Sequence, residues 1–247
     1  MMWKFLHRLS SLKYFYEWSG KWIPWLTGLT IVLMVAGFYW GLFIAPADYQ
    51  QGETYRIIFV HVPAAWMSMF VYVIMAIAGF TALIWRTKVS EIVVSECAVI
   101  GAMFTALALI TGMLWGKPTW GTYWQWDARL TSELILLFLY LGVVAIHSAI
   151  EDSRTASRLS GILAVIGVIN IPIIHFSVTW WNSLHQPNMQ LVSASPSVHP
   201  SMLYPLLVMA AAFQAYFIVL LIIRMRNQIL YRERRTNWVK QLLVEVN

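Results

Sequence analysis

An aromatic run and a group of histidines are the parts of this 247-residue chain best suited to chemistry. The run WGKPTWGTYWQWD, residues 115–127, holds four of the 14 tryptophans, two glycines and a proline. An anchoring belt at a membrane interface is one interpretation, because an indole ring is apolar while its N–H needs a polar partner. A belt needs only one or two aromatics per helix end, whereas glycine and proline let a loop lie flat. The composition therefore favours a shelf of indoles that binds a large, planar, apolar ligand.

Four of the six histidines, His61, His175, His185 and His199, fall on or near the same predicted side of the membrane as this run. A lone histidine is more often structural than a ligand, but four on one side favour ligation. Zinc prefers closely spaced His, Cys and carboxylate ligands, and the chain has no such motif. Haem iron takes axial imidazoles from separate segments, and its macrocycle stacks on indoles. Haem therefore fits these residues better than zinc.

Three cations near the aromatic run could meet the propionates of a haem. Arg56 and Arg129 can fork onto a carboxylate, and Lys117 can act as a point charge. Snorkelling of these side chains at helix ends is an equally good interpretation. Asp127 is expected to cap the helix that begins near Ala128, and it could also fix the geometry of its own loop.

The composition excludes a soluble globular protein. The chain is 60% hydrophobic and only 11% charged, against about 25% charged residues in soluble domains. The single cysteine, Cys97, lies in an apolar run and cannot form an intramolecular disulfide or a thiolate metal cluster. The net charge of +6 follows the predicted membrane topology and does not indicate nucleic-acid binding.

Six apolar runs of about 20 residues predict an all-α integral membrane protein with six transmembrane helices. The predicted spans are Trp22–Ile44, His61–Trp85, Ile92–Trp115, Thr131–Ile150, Leu159–Trp180 and Pro200–Ile223. We expect a single membrane domain over residues 1–247. It would comprise an amphipathic interfacial segment (1–21, with no signal-peptide pattern), a six-helix bundle (22–223) that carries the tryptophan-rich loop 116–130, and a basic tail (224–247) resting on lipid headgroups.

The basic residues predict the orientation. Fourteen of the 17 lysines and arginines fall on one side, and the positive-inside rule makes that side cytoplasmic. Both termini are then cytoplasmic. Three loops, Ala45–Tyr55, Gly116–Leu130 and Trp181–His199, face outward, which in a bacterial inner membrane is the periplasm.

Three stretches resemble the haem-handling family marked by a tryptophan-rich WWD motif, and within it the haem exporter protein C branch of cytochrome c maturation. They are the WGxxWxWD pattern of residues 120–127, APADYQQGETYRIIFVHVPAAW of residues 45–66 and NIPIIHFSVTWWNSLHQ of residues 170–186. The resemblance covers nearly the whole chain, including its length and six spans.

The resemblance implies a haem-transfer adaptor rather than an enzyme, with haem b as cargo. It implies that His61 and His185 are the axial ligands of the iron. His175 and His199 are not implied as ligands; His175 is expected in the core or beside the site. With the cations above, the haem-contacting residues would be Trp115, Trp120, Gly121, Trp124, Trp126, Asp127, Arg56 and Arg129.

The partners implied by the resemblance are a membrane-anchored haem chaperone, protein E, an ABC transporter made of proteins A and B, and a small membrane protein, protein D. The chain itself shows no nucleotide-binding motif, so ATP hydrolysis would belong to a partner. We expect one haem vinyl group to face the chaperone.

Two other classes remain open from the residues. A quinol-linked b-type cytochrome usually carries its haem histidines deep within its helices, whereas these candidates lie at the outer edge. A secondary transporter would need buried charges or broken helices near the midplane. Only Glu96 and Asn170 are weak candidates for such a site.

Overall fold

The computed structural model describes residues 11–181, 183–185 and 198–245. Most of the predicted third outer loop, and the first ten residues of the predicted interfacial segment, lie outside the described residues. In the described part, the regular structure is helical, apart from one isolated bridge between Asp48 and Gly52.

Nine α-helices run in chain order through the described residues. They are α1 (Leu12–Gly20), α2 (Ile23–Tyr39), α3 (Ile58–Trp85), α4 (Lys88–Trp120), α5 (Ala128–Ala149), α6 (Ser153–Gly167), α7 (Asn170–Trp180), α8 (Pro200–Arg232) and α9 (Asn237–Glu245). A π-helical turn, Trp40–Ile44, extends α2, and a 3-10 turn, Glu53–Ile57, leads into α3. Six segments are long and apolar enough to cross a membrane, with α6 and α7 together forming the fifth. The predicted all-α fold with six spans is confirmed.

Helices α3 and α4 form the centre of the bundle. They pack on each other, α5 packs on α4, α6 packs on α3 and α5, and α8 contacts α2, α3 and α4. Small residues allow this close approach, as is usual between membrane helices. A Cβ added to Gly79 would lie 3.0 Å from the Gly161 carbonyl oxygen, and Gly101 leaves the space that the Tyr140 ring fills. In contrast, α2 has large exposed apolar side chains, such as Val32 and Val35, which suits a lipid-facing helix.

The helices extend beyond the predicted spans. Helix α3 begins at Ile58, so His61 lies one turn inside it rather than at its start. Helix α4 continues to Trp120 rather than ending at Trp115, and the connection to α5 is shorter than the predicted loop 116–130. Helix α8 continues to Arg232, well into the predicted tail. Hydropathy detects the membrane interior, whereas a helix ends where its backbone hydrogen bonds find other partners.

The fifth span is broken, and the sequence had predicted one helix. The break falls between Gly167 and Asn170, and Pro172 explains it because proline has no N–H to donate to the Val168 carbonyl. That carbonyl instead accepts a 3.0 Å hydrogen bond from the Ile171 N–H. The Asn170 side chain donates to the Ser132 carbonyl across the interface with α5, at 2.9 Å. Asn170 therefore stabilises a helix junction.

Ion pairs tie α8 to α4 at the end of the bundle that is predicted to be cytoplasmic. Arg224 Nε lies 2.8 Å from a Glu96 carboxylate oxygen, and Arg232 Nη1 lies 3.1 Å from Glu91. Arg226 lies over the Tyr16 ring, which joins α8 to the interfacial helix α1. Glu96, considered above for a transport site, is thus part of an ion pair between helices.

Exchange of Gly101 for alanine should destabilise the bundle, because the added methyl group would overlap the Tyr140 ring between α4 and α5. Overpacking of this kind costs about 1–3 kcal/mol. We expect Gly101→Ala to lower the thermal unfolding temperature of the detergent-solubilised protein. Gly28→Ala in α2 is the matched control, since no atom lies within 4 Å of its added Cβ. Equal unfolding temperatures for the two variants would contradict this packing.

Candidate functional site

A cleft of about 260 Å³ opens at the end of the bundle where α3 begins and where α4 and α7 end. His61, His185 and Arg129 line it, together with Trp115 and Trp120 of the aromatic run. The first turns of α3 and α5, the last turns of α4 and the segment after α7 bring these side chains together. Imidazoles, indoles and one guanidinium thus share one cavity, and they include both predicted ligands and two tryptophans of the aromatic run.

The protonation of His61 follows from its hydrogen bonds. Its Nδ1 lies 3.0 Å from the Ala108 carbonyl oxygen and 3.1 Å from the Thr111 hydroxyl, both on α4. A carbonyl can only accept, so Nδ1 carries the proton and donates it. The Nε2 atom is then left with its lone pair. A histidine held by an Nδ1–H bond to the backbone is the usual form of a metal-binding imidazole.

His185 is held in the same way by the carboxylate of Asp127. Its Nδ1 lies 3.1 Å from Asp127 Oδ2, which also accepts a 2.5 Å hydrogen bond from the Ser183 hydroxyl. The backbone N–H of His185 donates to that hydroxyl oxygen at 3.1 Å. Asp127 therefore fixes both the ring and the segment that carries it, and it leaves Nε2 of His185 as the nitrogen with a lone pair.

Asp127 is also the N-cap of α5, as the sequence predicts. Its Oδ1 accepts a 2.8 Å hydrogen bond from the Leu130 N–H. Burial alone would raise the pKa of this carboxyl group, but the hydrogen bonds from His185, Ser183 and Leu130 outweigh it and lower the pKa to about 2. The carboxylate is therefore ionised at neutral pH and can only accept, which agrees with a proton on Nδ1 of His185.

Trp115 is pinned between the first outer loop and His61. Its Nε1 donates a 2.7 Å hydrogen bond to the side-chain carbonyl of Gln51. Its ring meets those of Tyr55 and His61 edge to face, each with a centroid distance of 5.6 Å. Gln51 is itself held by Asp48, whose Oδ1 accepts from the Gln51 N–H at 2.8 Å. The first loop thus sets the position of the indole beside His61.

The extension of α4 carries Trp120 to the other imidazole. The helix passes through Pro118 and ends at Gly121, whose φ of 79° is a left-handed conformation that favours glycine. The Gly121 N–H donates to the Lys117 carbonyl, and the ammonium group of Lys117 donates to the Gly121 carbonyl, each at 3.0 Å. The ring of Trp120 then lies 4.8 Å from that of His185, between centroids.

The last two tryptophans of the run do not line this cleft. Trp124 and Trp126 meet edge to face at 5.3 Å, and the Trp126 side chain is 76% exposed. The predicted shelf therefore divides into two parts. Trp115 and Trp120 form a wall of the cleft, whereas Trp126 presents its ring on the outer surface.

The three candidate cations also separate. Arg129 lines the cleft, but Arg56 and Lys117 do not. The Arg56 guanidinium donates to the carbonyls of Gly41 and Ala45 at 2.8 and 2.7 Å and also bonds Glu53. These contacts join the end of α2 to the turn before α3. The structure does not bring Arg56 to the cleft, because the backbone carbonyls of the π-helical turn occupy its donors.

Several cleft residues were missed by sequence reasoning. Of the two positions expected for His175, the core is wrong, because the residue is exposed, whereas its place in the cleft lining agrees with a position beside the site. Trp66 and Met69 line it from α3, and Gly112 and Thr119 line it from α4. Helical spacing could have found Gly112 and Thr119, because residues three or four positions from Trp115 share its face of the helix.

Comparison with known proteins identifies the family. Residues 5–240 match the profile of the family described as heme exporter protein C. The chain belongs to the heme exporter protein C family. The heme exporter protein C of Escherichia coli (strain K12) is 50% identical over 244 residues, which cover 99% of this chain and 98% of that protein. The protein of that name from Haemophilus influenzae is 47% identical over 241 residues, 98% of each chain. That of Bradyrhizobium diazoefficiens is 49% identical over 218 residues, 88% of this chain and 82% of its own.

The resemblance found in the three sequence stretches is thus confirmed over nearly the whole chain. Membership of the heme exporter protein C family supports a role in haem handling for cytochrome c biogenesis, and a transport or adaptor role rather than catalysis. No group of three His, Cys, Asp or Glu side chains that could hold a metal ion occurs among the described residues.

Acid should release the Asp127 contacts in a defined pH range. Because the folded pKa is about 2 and the ordinary value is 3.8, ionised Asp127 stabilises the fold above pH 4, and this stabilisation disappears as the pH falls towards 2. We expect the difference in unfolding temperature between the unmodified protein and Asp127→Asn to shrink over that range.

Ser183→Ala tests the cause of the low pKa. It removes one donor to the carboxylate, so the pKa of Asp127 in the folded protein should rise; the stabilisation should then be smaller and should be lost completely at a higher pH. Identical acid profiles for Ser183→Ala and the unmodified protein would show that the hydroxyl does not support the carboxylate. A difference for Asp127→Asn that is as large at pH 2.5 as at pH 6 would contradict the low pKa.

Proposed function

We propose that this protein receives haem b at the cleft, holds its iron between His61 and His185, and presents it to the membrane-anchored haem chaperone of cytochrome c maturation. The single observation that carries the proposal is the pair of imidazoles in one cleft, each fixed through Nδ1. Family membership indicates that the ligand is haem. The Nδ1 hydrogen bonds explain why these two histidines would bind its iron.

The two Nδ1 bonds serve different purposes. His61 is bonded to the backbone of α4 in the centre of the bundle, so its ring is a fixed support. His185 is on the segment after α7 and is held by Asp127 of the connection between α4 and α5. Both bonds make the ligand nitrogens more basic, which strengthens iron binding. A ligand on a connecting segment can also move away from the iron, which suits a protein that has to release its cargo.

The size of the cleft supports partial exposure of the haem. Its volume of about 260 Å³ is below the roughly 300–1,000 Å³ that is usual for ligand pockets, so a macrocycle would extend beyond it. An exposed edge would allow a vinyl group to reach the chaperone. Trp115 and Trp120 would contact the ring, and Arg129 is the one candidate cation that lines the cleft and could meet a propionate.

The exposed part of the aromatic run suits a partner rather than the haem. Trp126 projects from the connection between α4 and α5, and large exposed aromatics are frequent anchors of protein interfaces. We assign this surface to the chaperone, protein E. The protein would act within a complex with the ABC transporter proteins A and B, which supply the ATP hydrolysis, and with the small membrane protein D.

The proposed location is the bacterial inner membrane, as one membrane domain with both termini in the cytoplasm and the cleft facing the periplasm. The distribution of lysine and arginine supports this orientation. The end of the bundle that carries the cleft is the end from which most of the basic residues are absent.

Removal of either ligand should change the absorption spectrum of the haem complex. We expect His61→Ala and His185→Ala each to weaken or remove the low-spin Soret and α bands of the purified protein, because each leaves the iron with one protein imidazole. His199→Ala is the matched control. His199 caps α8 through Ser201 and has no place in the cleft, so its loss should leave the spectrum unchanged. Unchanged bands in both His61→Ala and His185→Ala would refute the ligand assignment.

Exchange of Trp126 for alanine should separate haem binding from haem delivery. Loss of an interface anchor costs about 2 kcal/mol or more, so we expect at least about tenfold slower transfer to the chaperone with the haem spectrum retained. Trp25→Ala is the control, since Trp25 is equally exposed, at 76%, but lies on α2 near the other end of the bundle. Loss of the Soret band in Trp126→Ala would assign this residue to the haem instead.

A further inference from the structure

A second and larger cleft lies at the opposite end of the bundle from His61. Its volume is about 1190 Å³, and it is formed where α3 and α8 end and where α4 and α6 begin. The haem-handling residues described above are all absent from its walls. It therefore needs an explanation of its own.

The walls of this cleft carry an excess of positive charge. Two of its cations are neutralised, because Lys88 pairs with Glu233 at 3.4 Å and Arg232 pairs with Glu91 at 3.1 Å. In the described part of the chain, the other five have no carboxylate oxygen within 4 Å of the guanidinium: Arg86, Arg154, Arg158, Arg234 and Arg235. Like charges that line one cleft repel one another, so a bound anion would stabilise the arrangement.

Four of these five arginines form two groups on different elements. Arg154 and Arg158 are four residues apart and share one face of α6. Arg234 and Arg235 follow α8. Two separate basic groups across one cleft match an anion with two charged centres better than a single phosphate, and arginine suits phosphate because its guanidinium donates two parallel hydrogen bonds.

The cleft is also partly apolar. Ala82 and Leu83 of α3 and Ile162 of α6 belong to its walls, and Ile162 is 37% exposed. Ser157 lies between the two arginines of α6 and is only 5% exposed, and its hydroxyl has no hydrogen-bond partner among the described residues. An apolar wall beside cations favours an amphiphile over a soluble anion.

We propose that this cleft binds the headgroup of an anionic phospholipid with two phosphates, of the diphosphatidylglycerol type. One phosphate binds Arg154 and Arg158, and the other binds Arg234 and Arg235, while the acyl chains lie against the apolar wall. Basic clefts between membrane helices on the cytoplasmic side are a general means of recognising such lipids. The bound lipid joins the start of α6 to the segment after α8 and so stabilises the bundle at this end.

Lipid binding can be measured on the full-length protein purified in a neutral detergent. We expect diphosphatidylglycerol to raise the thermal unfolding temperature by about 5 °C. Phosphatidylglycerol at twice the molar concentration, which supplies the same number of phosphates, should raise it less, and inorganic phosphate at that concentration should have no effect. Native mass spectrometry should show one retained diphosphatidylglycerol molecule.

Two double variants test the site. Arg154→Gln/Arg158→Gln should abolish the stabilisation and the retained lipid. The matched control, Lys21→Gln/Lys240→Gln, removes the same charge from exposed positions on the same predicted side but outside the cleft, and should keep both. The cleft of His61 and His185 is at the other end of the bundle, so the haem spectrum of both variants should be unchanged. An unchanged spectrum would show that both variants are folded.

Three outcomes would overturn the proposal. Equal loss of lipid in the two double variants would indicate general attraction to the basic surface. An equal shift with inorganic phosphate would show that a free anion is sufficient. Displacement of the lipid by free haem at equimolar concentration would reassign the cleft to a propionate-bearing ligand.

Discussion

The hydrogen bond between the Nδ1–H of His61 and the Ala108 carbonyl is the interaction on which the site depends. It runs between α3 and α4, the two helices at the centre of the bundle, so their packing decides which face of the imidazole is free. Because the membrane interior has no water to donate hydrogen bonds, the Ala108 carbonyl can accept this second hydrogen bond only from a neighbouring helix. Gly112, one turn further along α4, leaves room for this ring, since a Cβ there would lie 3.0 Å from it. The pairing of α3 with α4 thus positions His61, the first proposed ligand, as well as establishing the centre of the fold.

Asp127 connects His185, the second proposed ligand, to the same helices. One carboxylate oxygen caps α5, and the other holds His185 and Ser183. A single side chain therefore couples the start of a membrane helix to a segment more than fifty residues away. This explains why an acid ends the aromatic run: an amide at this position could still cap the helix, but it would not combine full acceptor capacity with the negative charge that favours the Nδ1–H tautomer.

The two ends of the bundle differ in their chemistry. At the end that carries the cleft of His61 and His185, aromatic rings and hydrogen-bonded imidazoles surround a small cavity, and one guanidinium is present. At the other end, arginines from α6, from α8 and from the residues that follow α3 and α8 surround a large cavity, and an ion pair from α8 to α4 limits their repulsion. This difference between the two ends results from the uneven distribution of lysine and arginine along the sequence. It suits the proposed binding of a planar, apolar cargo at one end and of anionic groups at the other.

The sequence by itself determined the class of fold, the number of spans, the family and the Asp127 cap, because hydropathy, charge and local capping depend on residues that are near one another in the chain. It did not determine the break before Asn170, the extension of α4 to Trp120 or the occupation of Arg56 by backbone carbonyls. These depend on where partners lie in space, such as Ser132 for Asn170 and Gly41 for Arg56. Only the tertiary structure decided where the rings of the aromatic run lie. Trp115 and Trp120 are on α4 and contact the two imidazoles. Trp126 follows the helix end at Gly121, where the chain changes direction, and its ring faces outward.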